Sequence, residues 1–285
     1  MKKLSICILM IVGLSACNAT ATESFEKNSP DNYVVILDLS DRIIQRTDQV
    51  DIDTNAIRGA LEKFEIAVQR NLTVKSKDKF SIRIILQKNS SLPSNIYENS
   101  LSIDMAKYNA GEKAIRLNSF KSDFSTNLKT LYQQALLGNK NTDYAGVDIW
   151  QYFNEQINND LCSEYNNHVL ILTDGYFDFE DKSHGINLQN SATVTAPLLR
   201  KMNSLEWEKE ASDNNTGLIP VKLKEQAKWV VCGIQSKASS TDLLEPEKLS
   251  YLWKKWLIQS GAKNVTEPIV NSSSLKIKGL ITKTL

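Results

Sequence analysis

Tyr33-Val-Val-Ile-Leu-Asp38 is a short apolar run, rich in β-branched residues, that ends in an acid. Such a run predicts a strand that is buried on both faces. The run His168-Val-Leu-Ile-Leu-Thr173 has the same form and leads into Asp174 and Gly175. In an open α/β sheet, ligands bind beyond the carboxyl ends of the strands. The two acid-tipped strands therefore predict a polar site at the carboxyl end of a sheet.

The rest of the chain alternates between strand-like and helix-like runs, which predicts an α/β fold: a three-layer, doubly wound, mostly parallel sheet with helices on both faces. Residues 176–224 interrupt the alternation, and we expect them to form an insertion because they are too few for a core of their own. Further strands are predicted at Phe80–Leu86, Leu101–Met105, Lys228–Ile234 and Leu275–Ile281, and helices at Ala56–Val68, Leu128–Leu137, Tyr144–Ile157, Pro197–Glu210 and Pro246–Ser260.

The beginning of the chain has the form of a bacterial lipoprotein signal. Lys2 and Lys3 precede the apolar stretch 6–14, which is too short to cross a bilayer comfortably. The tetrapeptide Leu14-Ser-Ala-Cys17 resembles a lipobox, which implies cleavage after residue 16 and lipidation of Cys17. The alternative is an ordinary secreted protein with a cysteine at the cleavage site. Residues 17–30 are polar and turn-rich and predict a flexible, lipidated tether.

The expected location is the bacterial cell envelope, with the protein anchored to a membrane through Cys17. Asn18 follows the predicted lipidated residue, and it does not resemble a signal for retention in the inner membrane. We therefore expect an outer-membrane anchor and leave open whether the domain faces the periplasm or the outside.

Charge and cysteine content exclude some classes of protein. The formal net charge is +1, so there is no basic field of the kind that attracts nucleic acid. Cys162 and Cys232 are the two cysteines beyond the predicted anchor, and their spacing matches no zinc site. Both lie beside apolar segments, so buried thiols are favoured over a disulfide.

Four oxygen-bearing side chains are candidates for a metal site. Asp38 and Ser40 follow the first strand, Asp174 follows the later one, and Thr142 precedes a predicted helix. Two carboxylates and two hydroxyls are hard ligands that suit Mg²⁺, with Mn²⁺ and Ca²⁺ as alternatives.

This pattern resembles the von Willebrand factor A family and its metal-ion-dependent adhesion site. That site reads Asp-x-Ser-x-Ser after the first strand, a Thr in a later loop and an Asp before Gly. Asp38, Ser40, Thr142 and Asp174 match, and the resemblance implies one domain over residues 31–285 with the insertion at about 176–224. The third motif position is Arg42, which cannot ligate a cation. Either Asp41 compensates, or the site is weaker, or Arg42 pairs with an acid in place of the metal.

The resemblance implies a binding module that engages a protein or another ligand, rather than an enzyme. Asp41, Arg42, Tyr176, Phe177 and Asp178 are candidates for the ligand surface, although Phe177 could equally be buried beneath the insertion.

Two other functions remain open. A phosphohydrolase of the haloacid dehalogenase type would use Asp38 as nucleophile and Asp174 and Asp178 to hold Mg²⁺, but Ser40 stands where that family needs an Asp. The other is a metal-free scaffold domain.

The stripe containing Trp253 and Trp256 is expected to be core packing.

Overall fold

A sheet with strand order β3-β2-β1-β4-β7-β8 runs through the protein, and β9 also pairs with β7. The computed structural model describes residues 29–87, 90–138, 146–178, 185–270 and 272–285. The strands are β1 Asp31–Leu39, β2 Lys79–Leu86, β3 Ile103–Asp104, β4 Asn166–Leu172, β5 Ser191–Ala192, β6 Gly217–Leu218, β7 Ala227–Ile234, β8 Asn264–Val265 and β9 Ile269–Val270. The helices are α1 Arg42–Gln45, α2 Gln49–Arg70, α3 Ser94–Ser100, α4 Ala110–Gly138, α5 Ile149–Glu155, α6 Ile157–Asp160, α7 Ala196–Leu199, α8 Trp207–Asp213, α9 Glu245–Gln259 and α10 Ser274–Thr284.

The sheet is mostly parallel, as the sequence predicts. β1 lies between β2 and β4, and β4 pairs with β7, all in parallel. Only the edge strand β3 is antiparallel to its neighbour in this sheet. The carboxyl ends of β1, β4 and β7 therefore lie side by side.

Helices pack against both faces of the sheet. Successive side chains of β1 point to opposite faces, so each face presents apolar residues to a layer of helices. Val35 and Leu37 join a core with Phe64 of α2, and this core also takes apolar residues from α4 and α10. Val34 and Ile36 join a second core, which includes residues of α5 and α9. A central strand covered on both faces explains why the run reads as continuously apolar.

The tryptophan stripe of α9 is core packing, as predicted. Trp253 and Trp256 are fully buried, and both rings contact the ring of Phe153 in α5. The insertion contributes to the same core through Leu198 of α7 and Trp207 of α8.

The predicted closing strand at Leu275–Ile281 is wrong, because these residues belong to the helix α10. The alternation of apolar and polar residues at 275–278 suggested a strand. Ile277 and Ile281 are four residues apart, however, and both are buried against α2. The strand that joins the sheet near this end of the chain is β9.

Four of the five predicted helices have different bounds from those expected. The predicted helix Ala56–Val68 lies within the longer α2, and Pro197–Glu210 is divided between the short helices α7 and α8. Residues Leu128–Leu137 are the last part of the much longer α4. The predicted helix Tyr144–Ile157 is α5, which begins at Ile149, followed by the separate short α6.

The outer side of β2 is capped by side chains beyond its short pairing with β3. Ser102 Oγ accepts the backbone N–H of Ile82 at 3.1 Å, and Glu98 Oε1 accepts that of Ile84 at 2.8 Å. Buried backbone donors are costly to leave unpaired. Polar side chains therefore replace a neighbouring strand at these two positions.

Cys162 and Cys232 are free thiols, as the sequence favours; Cys232 is buried and Cys162 is partly exposed. The predicted signal peptide and Cys17 lie outside the described residues. Within the described part of the chain, no helix has the length and apolarity needed to cross a bilayer.

The close approach of α2 and α10 gives a first testable prediction. A Cβ added at Gly59 would lie 2.8 Å from the backbone oxygen of Lys278, whereas one added at Gly279 would meet nothing within 4 Å. We expect Gly59→Ala to lower the free energy of unfolding by about 1–3 kcal/mol because α10 must move away. Gly279→Ala is the matched control and should be neutral or stabilising, by up to about 1 kcal/mol. Urea unfolding of both variants measures this; equal stabilities would contradict the close packing of these helices.

Candidate functional site

The two acid-tipped strands are neighbours, and their acids lie at the same end of the sheet. Leu37 of β1 is in register with Leu172 of β4. One residue further on, Thr173 Oγ1 donates a hydrogen bond to Asp38 Oδ2 at 2.9 Å. Asp174 follows directly. The structure therefore brings Asp38 and Asp174 together from distant parts of the sequence.

Asp38 and Ser40 form a tight local turn. The backbone N–H of Ser40 donates to Asp38 Oδ1 at 2.8 Å, and both residues are buried. Both carboxylate oxygens of Asp38 thus accept one hydrogen bond from the protein. Each oxygen of an ionised carboxylate has a second acceptor site, so the group retains the capacity to bind another ligand.

Asp174 is held in place by the backbone around it. Its Oδ1 accepts the N–H of Tyr176 at 3.2 Å, and its carbonyl oxygen accepts the N–H of Gln235, which follows β7. Gly175, which lies between Asp174 and Tyr176, has a φ of 102°. A side chain there would be strained and would press on Ile234 and Leu249, so glycine allows the turn to form.

The Arg42 side chain is buried beside the site and pairs with an acid that the sequence analysis missed. Its Nη2 donates to Asp53 Oδ2 of α2 at 2.7 Å, and its Nε donates to the carbonyl oxygen of Asp38 at 2.9 Å. Its Nε is 4.0 Å from Asp38 Oδ2. Of the three alternatives considered for Arg42, the structure supports pairing with an acid, although that acid is Asp53 rather than a motif residue.

Asp53 accepts three hydrogen bonds from side chains, counting the one from Arg42. Tyr132 of α4 donates its hydroxyl to Asp53 Oδ2 at 2.9 Å, and Gln49 donates to Oδ1 at 2.8 Å. Burial raises the pKa of Tyr132, and the charge of Asp53 adds to that shift. Asp53 precedes the predicted helix Ala56–Val68, but it is three and four residues before Ala56 and Ile57, so a helix that begins earlier places it on the same face as these apolar residues.

Gly233 allows β7 to approach the backbone of Thr173 closely. Its φ is 102°, and a Cβ at this position would lie 2.9 Å from the Thr173 carbonyl oxygen and 3.8 Å from Arg42 Nη1. Nη1 is buried and has no hydrogen-bond partner in the part of the chain that the structure describes.

The cluster contains more buried acids than bases. Among the described residues, Asp38, Asp53 and Asp174 are at most 4% exposed, and the one fully buried cation beside them is Arg42. Burial raises the pKa of Asp38, against the opposing effect of Arg42. Burial and then the charge of Asp38 raise the pKa of Asp174 to about 8. The site therefore favours uptake of positive charge, either as a proton or as a cation.

Three of the five residues expected on a ligand surface are buried instead. Arg42 is in the cluster described above, and Tyr176 and Phe177 lie in the core, where Phe177 packs on the rings of Trp253 and Trp256. The helix α9 covers the ring of Phe177, and the sequence pattern does not reveal this contact between distant segments.

The other two candidates have polar partners. Asp178 pairs with Lys237 at 2.6 Å and accepts the hydroxyl of Thr195 at 2.8 Å. Asp41 is partly buried; one carboxylate oxygen accepts from Gln45, while the other is buried with no partner in the described residues.

The set of metal-ligand candidates is incomplete in the described structure. Thr142 lies outside the described residues. The described residues contain no group of three or more His, Cys, Asp or Glu side chains arranged to hold a metal. Among the described residues, the candidate ligands are therefore the carboxylates of Asp38 and Asp174 and the hydroxyl of Ser40.

Comparison with known proteins does not assign a family. No protein-family model matches the chain, and no curated protein sequence matches it significantly. Proximal thread matrix protein 1 from the mussel byssus is similar in structure, with a TM-score of 0.34 and 10% identity over 90% of this chain and 47% of that one. The open form of the pilus adhesin SpaC from Lactobacillus rhamnosus GG gives a TM-score of 0.41 and 11% identity over 90% of this chain and 30% of that one. The chain thus spans less than half the length of both proteins.

Proposed function

We propose that this protein is a lipid-tethered binding module of the von Willebrand factor A type. It binds a ligand at the carboxyl end of its sheet through a divalent cation held by Asp38, Ser40 and Asp174. Thr142 is the further ligand that the family motif implies. A cation held partly by hydroxyls keeps excess positive charge, and it would offer a coordination position to a carboxylate of the partner.

The observation that carries this proposal is the proximity of two buried carboxylates, whose negative charge Arg42 and Lys237 offset only in part. Arg42 balances one of the three buried acids and is directed to Asp53 at 2.7 Å. Asp38 and Asp174 are left to share the site, where their mutual repulsion is relieved by a proton or a divalent cation. The three proposed ligands, Asp38, Ser40 and Asp174, all offer oxygen atoms, which favours Mg²⁺, Mn²⁺ or Ca²⁺ over softer metals.

Arg42 accounts for the departure from the family motif. Its side chain satisfies Asp53 and the carbonyl oxygen of Asp38, so it fixes the turn that carries Asp38 and Ser40. We assign Arg42 a positioning role beneath the cation site, in place of the hydroxyl that the family motif supplies.

Titration calorimetry of the mature protein with Mg²⁺, Mn²⁺ and Ca²⁺ tests the proposal. We expect saturable binding of at least one of these ions at up to millimolar concentration, and a stabilisation of about 2.7 kcal/mol at a hundredfold excess over Kd. Ser40→Ala should weaken the binding about tenfold because one ligand is lost. Ser119→Ala, on the exposed surface of α4, is the matched control and should leave it unchanged. A folded protein that binds none of the three ions would exclude the cation-dependent mode.

Partner capture from the native envelope tests the binding role itself. We expect the wild-type lipoprotein to retain a partner that is lost from the Asp38→Ala/Asp174→Ala variant and from wild type in the presence of a chelator. Identical sets of captured proteins in all three samples would argue against this end of the sheet as the binding site.

A further inference from the structure

The amino end of the sheet, opposite the candidate site, is where the chain enters the domain. β1 begins at Asp31, and the first residues of β4 and β7 lie beside it, with Tyr33 in register with His168 and His168 with Lys228. The inference below rests on the proposed anchor at Cys17. From Cys17 to Asp31 the chain can span at most about 50 Å, at roughly 3.5 Å per residue. A lipid on Cys17 therefore limits the distance between this end of the domain and a bilayer to about this length.

The turn that follows α2 exposes apolar side chains at this end. Leu72 is 57% exposed and has a φ of 57°, a left-handed conformation that is unfavourable for leucine. Val74 is 50% exposed, and Ile66 in the last turns of α2 is 48% exposed. The backbone of Leu72 is hydrogen-bonded within the turn, whereas its side chain is left mostly exposed and is available for a contact outside the domain.

Basic residues surround this apolar turn. Arg70, Lys75 and Lys77 are exposed, whereas the nearby acids Asp31 and Asp78 are buried and hydrogen-bonded. The same end also carries the cations Lys63, Lys79, Lys222, Lys224, Lys228 and Lys263, against the acids Asp104, Glu164 and Glu225. Apolar residues flanked by cations form the pattern that binds at the interface of an anionic bilayer.

A cavity of about 230 Å³ opens beside the turn, lined among others by Lys63, Arg70, His168 and Lys228. Lys63 and Lys228 have no acidic partner among the described residues, and burial together with the charge of Lys63 lowers the pKa of Lys228. Asp31 also lines the cavity, but Arg70 and Asn166 already bind its carboxylate. His168 also faces this carboxylate, with its Nε2 3.6 Å from Asp31 Oδ1. The cavity thus presents the ammonium groups of Lys63 and Lys228 without an acidic partner among the described residues, and ammonium groups bind phosphate oxygens.

We propose that the amino end of the sheet docks on an anionic phospholipid bilayer, with Leu72 and Val74 entering the interface and Lys63 and Lys228 receiving a headgroup phosphate. The lipid anchor and this surface both attach the same end of the domain to the membrane. Stable attachment requires two such contacts, and their position on one end fixes the orientation. The candidate ligand site at the opposite end then faces away from the bilayer.

Fluorescence quenching of the mature lipidated protein in vesicles tests the orientation. The Val74→Cys/Cys162→Ser variant carries an environment-sensitive dye at residue 74, since Cys232 is buried. Leu243→Cys/Cys162→Ser carries the same dye in the segment between β7 and α9, at the opposite end, where Leu243 is 93% exposed. Vesicles contain a quencher-labelled lipid in either phosphatidylcholine alone or a mixture with phosphatidylglycerol. We expect quenching at residue 74 to increase at least about twofold in the anionic vesicles, and quenching at residue 243 to stay low in both.

Charge variants identify the contact. Lys63→Gln/Lys228→Gln should abolish the increase at residue 74, whereas Lys129→Gln/Lys209→Gln removes the same charge elsewhere on the surface and should preserve it. Equal quenching at residue 74 in neutral and anionic vesicles, or stronger quenching at residue 243, would overturn the proposal. Flotation of the protein with the vesicles tests the anchor separately. Failure to float with neutral vesicles would show that the proposed lipid anchor is absent. The docking surface would then stand only if the unlipidated protein binds the anionic vesicles.

Discussion

Replacement of Arg42 by methionine is expected to lower the free energy of unfolding by about 3–5 kcal/mol, because it leaves buried carboxylates without their cation. Methionine fills a similar volume, so the loss reports charge and hydrogen bonding rather than a cavity. Asp53 loses its 2.7 Å ion pair, and the Asp38 carbonyl oxygen loses its donor. Urea unfolding at constant pH measures the effect.

Two companion variants make this expectation specific. Arg46→Met removes a partly exposed ion pair with Asp48 and should cost no more than about 1 kcal/mol. Arg42→Met/Asp53→Asn removes both charges of the buried pair and should recover part of the loss. If Arg42→Met is as stable as Arg46→Met, or if the double variant is the least stable of the three, the buried pair does not have the role assigned to it.

The Asp174→Asn variant is expected to lose cation binding while the metal-free protein becomes more stable. It should abolish the stabilisation by Mg²⁺ or Mn²⁺, because a cation ligand is lost. In a chelator at pH 8 it should also be more stable than wild type, because it removes a buried charge next to Asp38.

The sign of the pH dependence follows from the pKa of Asp174. Its ordinary value is 3.8, and in the folded protein it is about 8. The folded state therefore holds a proton that the unfolded chain has already released, so this contribution to stability is complete below about pH 4 and is lost as the pH rises through 8. The metal-free wild type should lose stability relative to Asp174→Asn between these values, at up to about 1.4 kcal/mol per pH unit. Parallel curves for the two proteins would show that Asp174 does not titrate in this range.

The parallel sheet and the convergence of the two acids could be predicted because they depend on local patterns. β1 and β4 are continuous apolar runs, and parallel strands must place their following residues at the same end of the sheet. α9 could be predicted in the same way, since its apolar residues repeat with helical spacing over about two turns.

The parts that were missed depend on contacts between distant segments. Asp53 and Tyr132 are unremarkable in the sequence, and their meeting with Arg42 is decided by how α2 and α4 pack on one face of the sheet. The burial of Phe177 depends in the same way on α9. α10 was misread because its few apolar residues fit both periods, and its packing on α2 selects the helix.

The side-chain caps on β2 also restrict how a partner can attach. An open strand edge invites another chain to add a strand through backbone hydrogen bonds. Here the carboxylate of Glu98 and the hydroxyl of Ser102 occupy two of the donors that an added strand would need. Removing Glu98 would expose a template for self-association, so this residue protects the edge of the sheet from forming intermolecular sheets.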